Sequence, residues 1–335
     1  MSIAPILLLG GTGQIGHFAA AALRKRHPDL PLLIGSRNRQ KAEQVARALG
    51  DAEAVVIDPD SDDLGIGDRR IGAIVVLYSD QRLASLRYAQ ARGISHLGIS
   101  TGMFEVAPEI AVHMQRPDAA AMVLGYEWLV GATTIAALTA AKGYARVDGI
   151  RIGALVDDED WGGPAVQEDF ERFASIIASV LARKDGAFVW RKGDAIQGSF
   201  HAIDGTEIAA TGFSQIDIAG LAAATGARDV EFAIGTGVSS SRRAGGAKST
   251  EIIIELSGID PAGDPIRSRH AVFHPGGAAP LTALGISMVL ERLAGLDGNP
   301  PTPAGLFFPY QIIDHGDYLD RLAQEGGQLM TLPLA

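Results

Sequence analysis

The 335-residue sequence contains no cysteine. Disulfide bonds, thiolate metal sites and a cysteine nucleophile are therefore excluded, and the chain is compatible with a reducing compartment. Long apolar runs are also missing, because Gly, Pro or a charged residue interrupts each run before the ~20 residues that cross a bilayer. The first residues lead directly into an apolar strand, without the basic start of a secretion signal. These absences predict a cytoplasmic protein without a membrane partner.

Positive charge is scarce in this chain. It has 29 Lys and Arg against 39 Asp and Glu, a formal net charge of -10, and no long basic run. A nucleic-acid partner is therefore not expected, since duplex binding needs clustered cations. The apolar share of 47% and charged share of 20% are those of a globular protein, and the length suits two domains. The expected partner is a small-molecule substrate.

The sequence up to about Leu124 alternates short apolar runs with helix-like segments, as βαβ units do. Most of the apolar runs are continuous rather than alternating, which is typical of strands buried on both faces. Strands are predicted at Ile6–Leu9, Leu32–Ile34, Ala54–Ile57, Ala73–Leu77, His96–Ile99 and Ala121–Leu124. Helices are predicted at Gln14–Arg26, Arg39–Leu49 and Gln81–Arg92. This pattern predicts an α/β fold with a Rossmann-type doubly wound parallel sheet.

After Leu124 the regular alternation is lost. Helices are predicted at about Thr133–Tyr144, near Ala165–Arg183 and at Leu281–Leu293. Strands are predicted at Gly149–Val156, Ala187–Trp190, Ser199–Ile203, Val230–Ile234 and Glu251–Leu256. This order of helices and strands favours a second α+β domain built on a mixed sheet with one helical face.

Three segments follow from these patterns. We expect a dinucleotide-binding Rossmann domain over residues 1–125 and a substrate and dimerisation domain over residues 126–277. C-terminal helices over residues 278–335 are expected to return to the Rossmann domain. Because mixed sheets of second domains often offer a surface for self-association, a homodimer is expected.

A glycine-rich turn directly follows the first strand. Its sequence over residues 10–16 is Gly-Gly-Thr-Gly-Gln-Ile-Gly, which contains the G-x-G-x-x-G pattern of dinucleotide-binding folds. In that pattern the glycines permit a tight turn, backbone approach to a pyrophosphate and close helix packing, and the helix N-terminus faces the phosphates. The predicted cofactor-binding residues of this turn are Gly11, Thr12, Gly13, Gln14, Ile15 and Gly16.

The end of the second strand favours NADP over NAD. An NAD site places an acidic residue there for the ribose 2′-hydroxyl, whereas this chain has Ser36, Arg37 and Asn38. A hydroxyl and a guanidinium suit a 2′-phosphate, and Lys41 lies one helical turn further on. The alternative is that Arg37 is only a solvated loop cation. Further cofactor-binding candidates follow the later strands: Asp58, which is equally able to cap a turn, and Tyr78, Ser79 and Ser100.

These residues resemble the NADP-binding domain of the saccharopine dehydrogenase-like family. The resemblance rests on the turn at 10–16, on Gly-Ser-Arg-Asn at 35–38 with Lys-Ala-Glu at 41–43, and on residues 89–102. It is strongest over the first ~130 residues. Two later segments, Gly305–Tyr310 and Tyr318–Gln324, also resemble the family. It implies NADP-linked hydride transfer to or from a C=N bond of an amino-acid imine, or, in other members, a C=C bond. Relatives often have Pro-Gly where this chain has Val130-Gly131, so substrate contacts there are not transferred.

Four residues are candidates for moving the proton that accompanies hydride transfer. Tyr126 and Glu127 directly follow the sixth strand, although packing between domains is the alternative for both. His270 and His274 share one face if their segment is a strand, and imidazole titrates near neutrality. Ordinary core or surface roles are the alternative for the histidines. No third metal ligand is evident beside this pair, so no metal is expected.

Charged clusters of the second domain are further substrate-binding candidates. The acidic run 157–160, followed by Trp161, is able to bind a cationic amine, although the pattern favours a solvated loop. The resemblance also implies cations for substrate carboxylates, and those available are Arg242, Arg243, Lys248, Arg267 and Arg269.

Other functions of the same fold remain open. A short-chain reductase needs Tyr-x-x-x-Lys, whereas Tyr88 is followed at that spacing by Arg92. A non-catalytic NADP-binding redox sensor and a C=C (enoyl-type) reductase are the alternatives that the sequence leaves.

Overall fold

A computed structural model describes residues 3–99, 102–103, 105–160, 162–163, 167–168, 171–172 and 179–334. The chain divides into two compact units. The first comprises Met1–Tyr126 and Thr282–Ile313, and the second comprises Glu127–Leu281 and Asp314–Ala335. The expected C-terminal segment 278–335 thus contributes to both units. Within the described ranges, no helix combines the length and the apolar character that a bilayer crossing requires.

The first unit contains a seven-stranded sheet in which every pairing is parallel. Its strands are β1 (Ile6–Leu9), β2 (Leu32–Ser36), β3 (Ala52–Val56), β4 (Ala73–Val76), β5 (Ser95–Gly98), β6 (Ala121–Leu124) and β15 (Gly305–Phe307). The spatial order is β15-β6-β5-β4-β1-β2-β3. The chain therefore builds outward from β1 on one side and from β4 on the other, so the order reverses between β1 and β4. This is the predicted doubly wound Rossmann sheet, and ligands bind such sheets at that switch point.

Helices of the first unit connect these parallel strands. They are α1 (Gln14–Arg26), α2 (Arg39–Leu49), α3 (Ala84–Arg92) and α4 (Val106–Gln115), with α9 (Pro309–Ile312) near the end of the chain. The boundaries predicted for α1 and α2 are confirmed. α3 begins three residues later than predicted because the Asp80 carboxylate accepts hydrogen bonds from the N–H groups of Ala84 and Ser85. α4 was not predicted.

The second unit contains a mixed nine-stranded sheet. Its strands are β7 (Arg146–Asp157), β8 (Ser179–Lys184), β9 (Ala187–Lys192), β10 (Gln197–His201), β11 (Glu207–Gly212), β12 (Asp229–Gly237), β13 (Thr250–Ile259), β14 (Pro265–His274) and β16 (Gln328–Leu332). The main order is β10-β11-β12-β7-β13-β14-β16, and β8 joins β12 to β9. Among the described strands of this sheet, only β7 and β12 pair in parallel. The predicted α+β character of this unit is confirmed.

The helices of the second unit pack against its sheet. They are α5 (Ala132–Ala141), α6 (Asp217–Thr225), the short α7 (Ser240–Arg243) and α10 (His315–Gln324), while α8 (Ala278–Ala294) begins in this unit and continues into the first. α5 contacts β13 and β14, and α6 contacts β12. Alternate strand residues such as Ile152, Phe232 and Ile254 are buried. Phe232 contacts the Trp128 ring at 5.6 Å between centroids. The three strand residues are in register, so they share one face of the sheet, as alternation along a strand requires.

The long helix predicted near Ala165–Arg183 is wrong at its C-terminal end. Residues 167–168 and 171–172 are helical, but Ser179–Lys184 is strand β8, and the intervening residues lie outside the described ranges. β8 and β9 form a hairpin through Asp185 and Gly186, which have φ values of 51° and 85°. Two positive φ values define a type I′ turn, for which Asp-Gly is a strong sequence signal. This turn was not predicted.

Two phenylalanines of the second unit differ in burial, and we therefore expect them to contribute differently to the free energy of unfolding. Phe232 is fully buried, whereas Phe188 is 51% exposed. We expect Phe232→Ala to lower the free energy of unfolding by about 3–5 kcal/mol, because it leaves a cavity in a packed core. Phe188→Ala is the matched control and should change it by less than about 0.5 kcal/mol. Urea denaturation followed by circular dichroism measures both, and equal losses would contradict this assignment of the core.

Candidate functional site

The turn after β1 brings its backbone unusually close to helix α1. A Cβ atom added at Gly16 would lie 2.7 Å from the Gly11 Cα, a separation that packed atoms do not tolerate. Gly11 is itself confined, since a Cβ there would lie 3.0 Å from the Leu8 carbonyl oxygen. The left-handed conformation of the turn is at Gly10, with φ of 84°. Glycine is therefore required at these three positions for steric reasons.

The N-terminus of α1 is open to an anion. Its first helical hydrogen bond runs from the His17 N–H to the Gly13 carbonyl oxygen, at 2.9 Å. The N–H groups of Gln14, Ile15 and Gly16 consequently have no acceptor within the helix. No side chain caps this end, and its first turn has no acidic residue. Unsatisfied N–H groups together with the helix dipole favour a negative charge at this point.

Polar groups at the end of β2 face the same turn. The Thr12 hydroxyl donates to Ser36 Oγ at 3.2 Å, and the Asn38 N–H donates to the same oxygen at 3.2 Å. The Asn38 side chain begins α2 by accepting from the Lys41 N–H at 3.0 Å. Arg37 is exposed. Of the predicted 2′-phosphate contacts, Arg37 thus has an exposed side chain, whereas the Asn38 side chain has a helix-capping role.

The remaining predicted cofactor residues have different surroundings. The Asp58 carboxylate accepts from the Asp60 N–H at 3.0 Å, which is the turn-capping alternative foreseen for it. The Tyr78 ring lies beside the glycine turn, 3.4 Å from where a Gly10 Cβ would be. Ser79 is partly buried at the end of β4, and Ser100 lies outside the described residues.

The environment of Tyr78 links it to Arg37. Burial raises the pKa of Tyr78 well above its ordinary value, the Asp80 charge acts in the same direction, and the Arg37 charge opposes both. The Tyr78 hydroxyl is buried and has no hydrogen-bond partner among the described residues. Its position beside the glycine turn therefore leaves a protonated hydroxyl for another polar group to satisfy.

A small polar cavity, here called the edge cavity, lies at the carboxyl edge of β4, β5 and β6 in the first unit. Its polar lining consists of Tyr78, Asp80, Ser85, His96, Glu109 and Tyr126. The cavity is about 10 Å³ in volume, which is room for about one water molecule. The structure thus brings together the predicted residues Tyr78 and Tyr126. Asp80, Ser85, His96 and Glu109 were not predicted as site residues.

Tyr126 and Glu109 form a buried pair at this cavity. The Tyr126 hydroxyl donates a hydrogen bond to Glu109 Oε2, and both residues are buried. The hydroxyl lies over Gly98, where a Cβ would be 2.6 Å from it. Gly98 therefore makes room for the tyrosine. Glu109 lies on α4, which sequence patterns did not predict, so no local signal connected it with Tyr126.

A hydrogen-bonded chain fixes the histidine of the edge cavity. The Ser85 hydroxyl donates to Asp80 Oδ2, and Ser85 Oγ lies 3.2 Å from His96 Nε2. Because the serine proton goes to the carboxylate, Nε2 must donate, and Nδ1 is then an acceptor. Nδ1 is buried without a partner among the described residues, and burial lowers the pKa of His96 to about 4. His96 is therefore a neutral imidazole at physiological pH.

The segment after β6 has a strained backbone. Leu129 and Val130 have φ values of 53° and 56° and precede Gly131 at 94°. Left-handed geometry is rare for bulky residues and costs roughly 1–3 kcal/mol each, and such strain clusters at functional sites. Asp217 stabilises this segment, since its Oδ2 accepts from the Trp128 N–H at 2.9 Å.

Glu127 begins the second unit and is 3% exposed. Burial is the main cause that raises the pKa of Tyr318 above its ordinary range. The charge of Glu325 and, to a smaller extent, that of Glu127 act in the same direction. The predicted pair Tyr126 and Glu127 therefore divides between the units.

His270 and His274 lie on strand β14 and share a face. His270 Nε2 is 2.9 Å from Ser268 Oγ, and His274 Nδ1 accepts from the Gly276 N–H at 3.0 Å. Burial lowers the pKa of both histidines. Both imidazoles are neutral at physiological pH. Each has at least one ring nitrogen within hydrogen-bond distance of a neighbouring group. The described residues include no group of three or more His, Asp or Glu side chains arranged for a metal ion.

The acidic run after β7 is neutralised within the second unit. Arg242 Nη1 contacts Asp157 Oδ1 at 2.7 Å and also pairs with Asp158, and Lys248 Nζ lies 2.7 Å from Asp160 Oδ1. Asp157 and Asp160 are buried, so these are structural ion pairs. Trp161 lies outside the described residues. Arg243 pairs with Asp204 at 2.7 Å. Arg269 is buried, lies 3.6 Å from Glu255 and donates hydrogen bonds to the His201 and Ala202 carbonyl oxygens. Four of the five cations considered for substrate carboxylates are thus already engaged.

The buried Asp217 predicts a pH dependence of stability. Burial raises its pKa to about 7, although hydrogen bonds from Trp128 and Thr133 oppose the shift. An unfolded aspartate has a pKa of about 3.9. The folded chain therefore keeps a proton that the unfolded chain loses as pH rises from 4 to 7, and stability falls through that window.

Asp217→Asn should remove this dependence, because asparagine does not ionise and its oxygen still accepts from the Trp128 N–H. The stability of the wild type relative to the variant should fall by about 1 kcal/mol per pH unit between pH 5 and 7. Urea unfolding at several pH values measures this, with Asp118→Asn at an exposed position as the matched control. A constant difference across the window would show that Asp217 is ionised in the folded state.

Comparison with known proteins supports the fold. No family model and no curated protein matches the sequence. The structure is similar to saccharopine dehydrogenase (L-Glu forming) from Saccharomyces cerevisiae, with a TM-score of 0.66, 12% identity, and coverage of 98% of this chain and 100% of that one. A myo-inositol dehydrogenase from Corynebacterium glutamicum has a TM-score of 0.49 and 16% identity, with 100% of each chain covered. The predicted resemblance to the saccharopine dehydrogenase-like family is therefore confirmed at the level of the two-domain fold.

Proposed function

We propose that the protein is an NADP-dependent oxidoreductase. The observation that supports this most directly is the glycine turn, whose steric confinement places the uncapped N-terminus of α1 at the switch point of a parallel sheet. That position suits a diphosphate, because the three free N–H groups of Gln14, Ile15 and Gly16 supply donors without a competing side chain.

The choice of NADP rests on the end of β2. Arg37 is exposed there, and no acidic side chain occupies the position that NAD sites use for the ribose hydroxyl. A guanidinium binds a phosphate through two parallel, charge-assisted hydrogen bonds. Its contact with the neutral 2′-hydroxyl of NAD is weaker. Ser36 and Lys41 are the other groups proposed to hold the 2′-phosphate. Asp58, Tyr78, Ser79 and Ser100 remain proposed contacts of the rest of the nucleotide.

A bound nicotinamide would supply the hydride chemistry, and the chain's own residues would handle one proton. We propose Tyr126 as the group that holds this proton at its hydroxyl, paired with the Glu109 carboxylate. Their burial excludes bulk water from the pair, which strengthens its hydrogen bond. Glu127, His270 and His274 remain the other candidates for moving the proton.

The substrate class follows from the sequence resemblance. We propose hydride transfer to or from a C=N bond of a small amino-acid imine. A C=C reductase and a non-catalytic redox sensor are the competing functions, and each gives a different outcome in the tests below. The proposed setting is a cytoplasmic homodimer.

Cofactor choice is tested with Arg37→Gln in the full chain. We expect NADPH to bind about 10- to 100-fold more weakly, because a charge-assisted contact with the 2′-phosphate is lost, while NADH binding is unchanged. Arg39→Gln is the matched control, since Arg39 is exposed two residues away. Isothermal titration calorimetry measures the dissociation constants. Tighter binding of NADH than of NADPH by the wild type would refute the choice of NADP.

Turnover is tested by NADPH oxidation with 2-oxo acids paired with amines, and with enoyl substrates as a separate arm. Tyr126→Phe should lower kcat by about 100-fold or more without weakening NADPH binding, since proton transfer contributes that much. Tyr88→Phe is the matched control, because its buried hydroxyl donates to the Gly67 carbonyl oxygen away from the edge cavity. NADPH binding without turnover on either substrate class would favour the sensor.

A further inference from the structure

The edge cavity gathers polar side chains on one face of the first sheet. Register aligns Val76 of β4, Gly98 of β5 and Leu124 of β6 across neighbouring strands. His96 lies two residues before Gly98, so the alternation along β5 puts both on the same face. All of the described residues that line the cavity belong to the first unit. The cavity is therefore defined within one compact unit.

Tyr78 and Tyr126 continue this face beyond the ends of β4 and β6. Each follows one of the aligned residues by two positions, and both line the cavity. Further lining comes from the start of α3, where the Asp80 carboxylate accepts from the Ser85 N–H at 2.8 Å. Donors and acceptors of the sheet and of a helix therefore surround a volume that holds about one water molecule.

Two buried polar atoms of this lining have no hydrogen-bond partner among the described residues, namely His96 Nδ1 and the Tyr78 hydroxyl. His96 is only 4% exposed, and its other nitrogen is already engaged, since Nε2 lies 3.2 Å from Ser85 Oγ. An unsatisfied buried donor or acceptor costs free energy, and native proteins satisfy most such groups with protein atoms or with ordered water. One acceptor and one donor at a cavity of this size suit a single water molecule.

The lining also determines how a water molecule would be oriented. Burial keeps His96 neutral and Tyr78 protonated, so Nδ1 takes one proton of the water and the Tyr78 hydroxyl donates to the water oxygen. The second water proton is left for another acceptor. The Tyr126 oxygen fits this role, because its own proton goes to Glu109 and because it lies over Gly98 on the face that carries His96. Three hydrogen bonds are typical of a buried water.

We propose that the edge cavity binds one water molecule and that His96 positions this water against the Tyr126 hydroxyl. The water donates one hydrogen bond to His96 Nδ1, accepts one from the Tyr78 hydroxyl and donates its second to the Tyr126 oxygen. Ser85 and Asp80 act through His96, because they hold Nε2 as a donor and so leave Nδ1 as an acceptor. His96 is thus a positioning residue and does not touch the substrate.

The role of this water in turnover rests on the proposed function, whereas its binding does not. As hydride from the nicotinamide reaches the carbon of the C=N bond, the Tyr126 O–H bond breaks and its proton joins the nitrogen. Negative charge then develops on the tyrosine oxygen. A water proton already directed at that oxygen stabilises the charge, as a preorganised donor does at an oxyanion.

A high-resolution crystal structure of the full chain tests the water site directly. We expect one ordered water within hydrogen-bond distance of His96 Nδ1 and of the oxygens of Tyr78 and Tyr126. His96→Asn should keep this water, because the asparagine oxygen reaches the position of Nδ1. His96→Gln should lose it, because the glutamine amide reaches the position of Nε2 and leaves no acceptor at Nδ1. A wild type without the water, or a His96→Gln variant that retains it, would overturn the proposal.

The melting temperature of Tyr78→Phe tests the same water through the sign of the change. Removing a hydroxyl that donates to a bound water should lower the melting temperature by roughly 2–4 °C, whereas removing an unsatisfied hydroxyl should not lower it. Tyr88→Phe is the reference for a lost hydrogen bond, because its hydroxyl donates to the Gly67 carbonyl oxygen at 2.7 Å. Differential scanning calorimetry measures both variants. An unchanged or raised value for Tyr78→Phe beside a lowered one for Tyr88→Phe would contradict the proposal.

Turnover separates the role of His96 from the proposed function. His96→Gln should lower kcat by about tenfold or more and His96→Asn by less than about threefold, while the KM and the dissociation constant of NADPH stay unchanged in both. A kcat of His96→Gln equal to that of the wild type would overturn the positioning role. A wild type that binds NADPH without turnover would contradict the proposed function alone, since the crystal structure and the melting temperatures still decide whether His96 positions the water.

Discussion

The contact between helix α1 and the turn after β1 is the constraint on which the candidate site depends. A single methyl group at Gly16 would lie 2.7 Å from the Gly11 Cα. Helix α1 can therefore start this close to the turn only if residue 16 has no side chain. The close start aims three unpaired N–H groups at the carboxyl edge of the sheet. Because all seven strands are parallel, the ends of β2, β4, β5 and β6 lie along the same edge. Thr12, Ser36, Tyr78 and Tyr126 gather there for that reason.

The first unit combines this anion site with groups that are kept uncharged. Burial lowers the pKa of His96 and raises that of Tyr78, so both are neutral at physiological pH. Asp80 fixes the tautomer of His96 through Ser85, and Glu109 orients the Tyr126 hydroxyl. Neutral donors and acceptors near the glycine turn do not compete with an anion for its N–H groups. In the proposed NADP complex, Arg37 and the backbone dipoles would balance the negative charge of the ligand.

The sequence predicted this site where the signal is local. The glycine spacing and the apolar run before it fix β1 and α1, and the Asn38 cap fixes the start of α2. Glu109 was missed because it reaches Tyr126 only through tertiary packing of α4. The hairpin of β8 and β9 has a local signal in Asp185-Gly186, but the pattern of the preceding residues predicts one long helix. The ion pairs of Arg151 with Glu231 and Glu255 depend on the register of β12, β7 and β13, which no separate strand pattern contains.

The donors of the two units do not titrate near neutral pH, whereas one buried carboxylic acid of the second unit does. The glycine turn presents backbone N–H groups, and the second unit pairs arginines with carboxylates, as Arg242 does with Asp157. Neither kind of donor titrates near neutrality. Asp217 is different, because burial brings its pKa to about 7 while its oxygen accepts from the Trp128 N–H. Ionisation of Asp217 strengthens that hydrogen bond but leaves a charge in an apolar site. The strained residues Leu129 and Val130 follow directly, so the geometry of this segment is tied to a proton, whereas the N–H donors of the glycine turn are not.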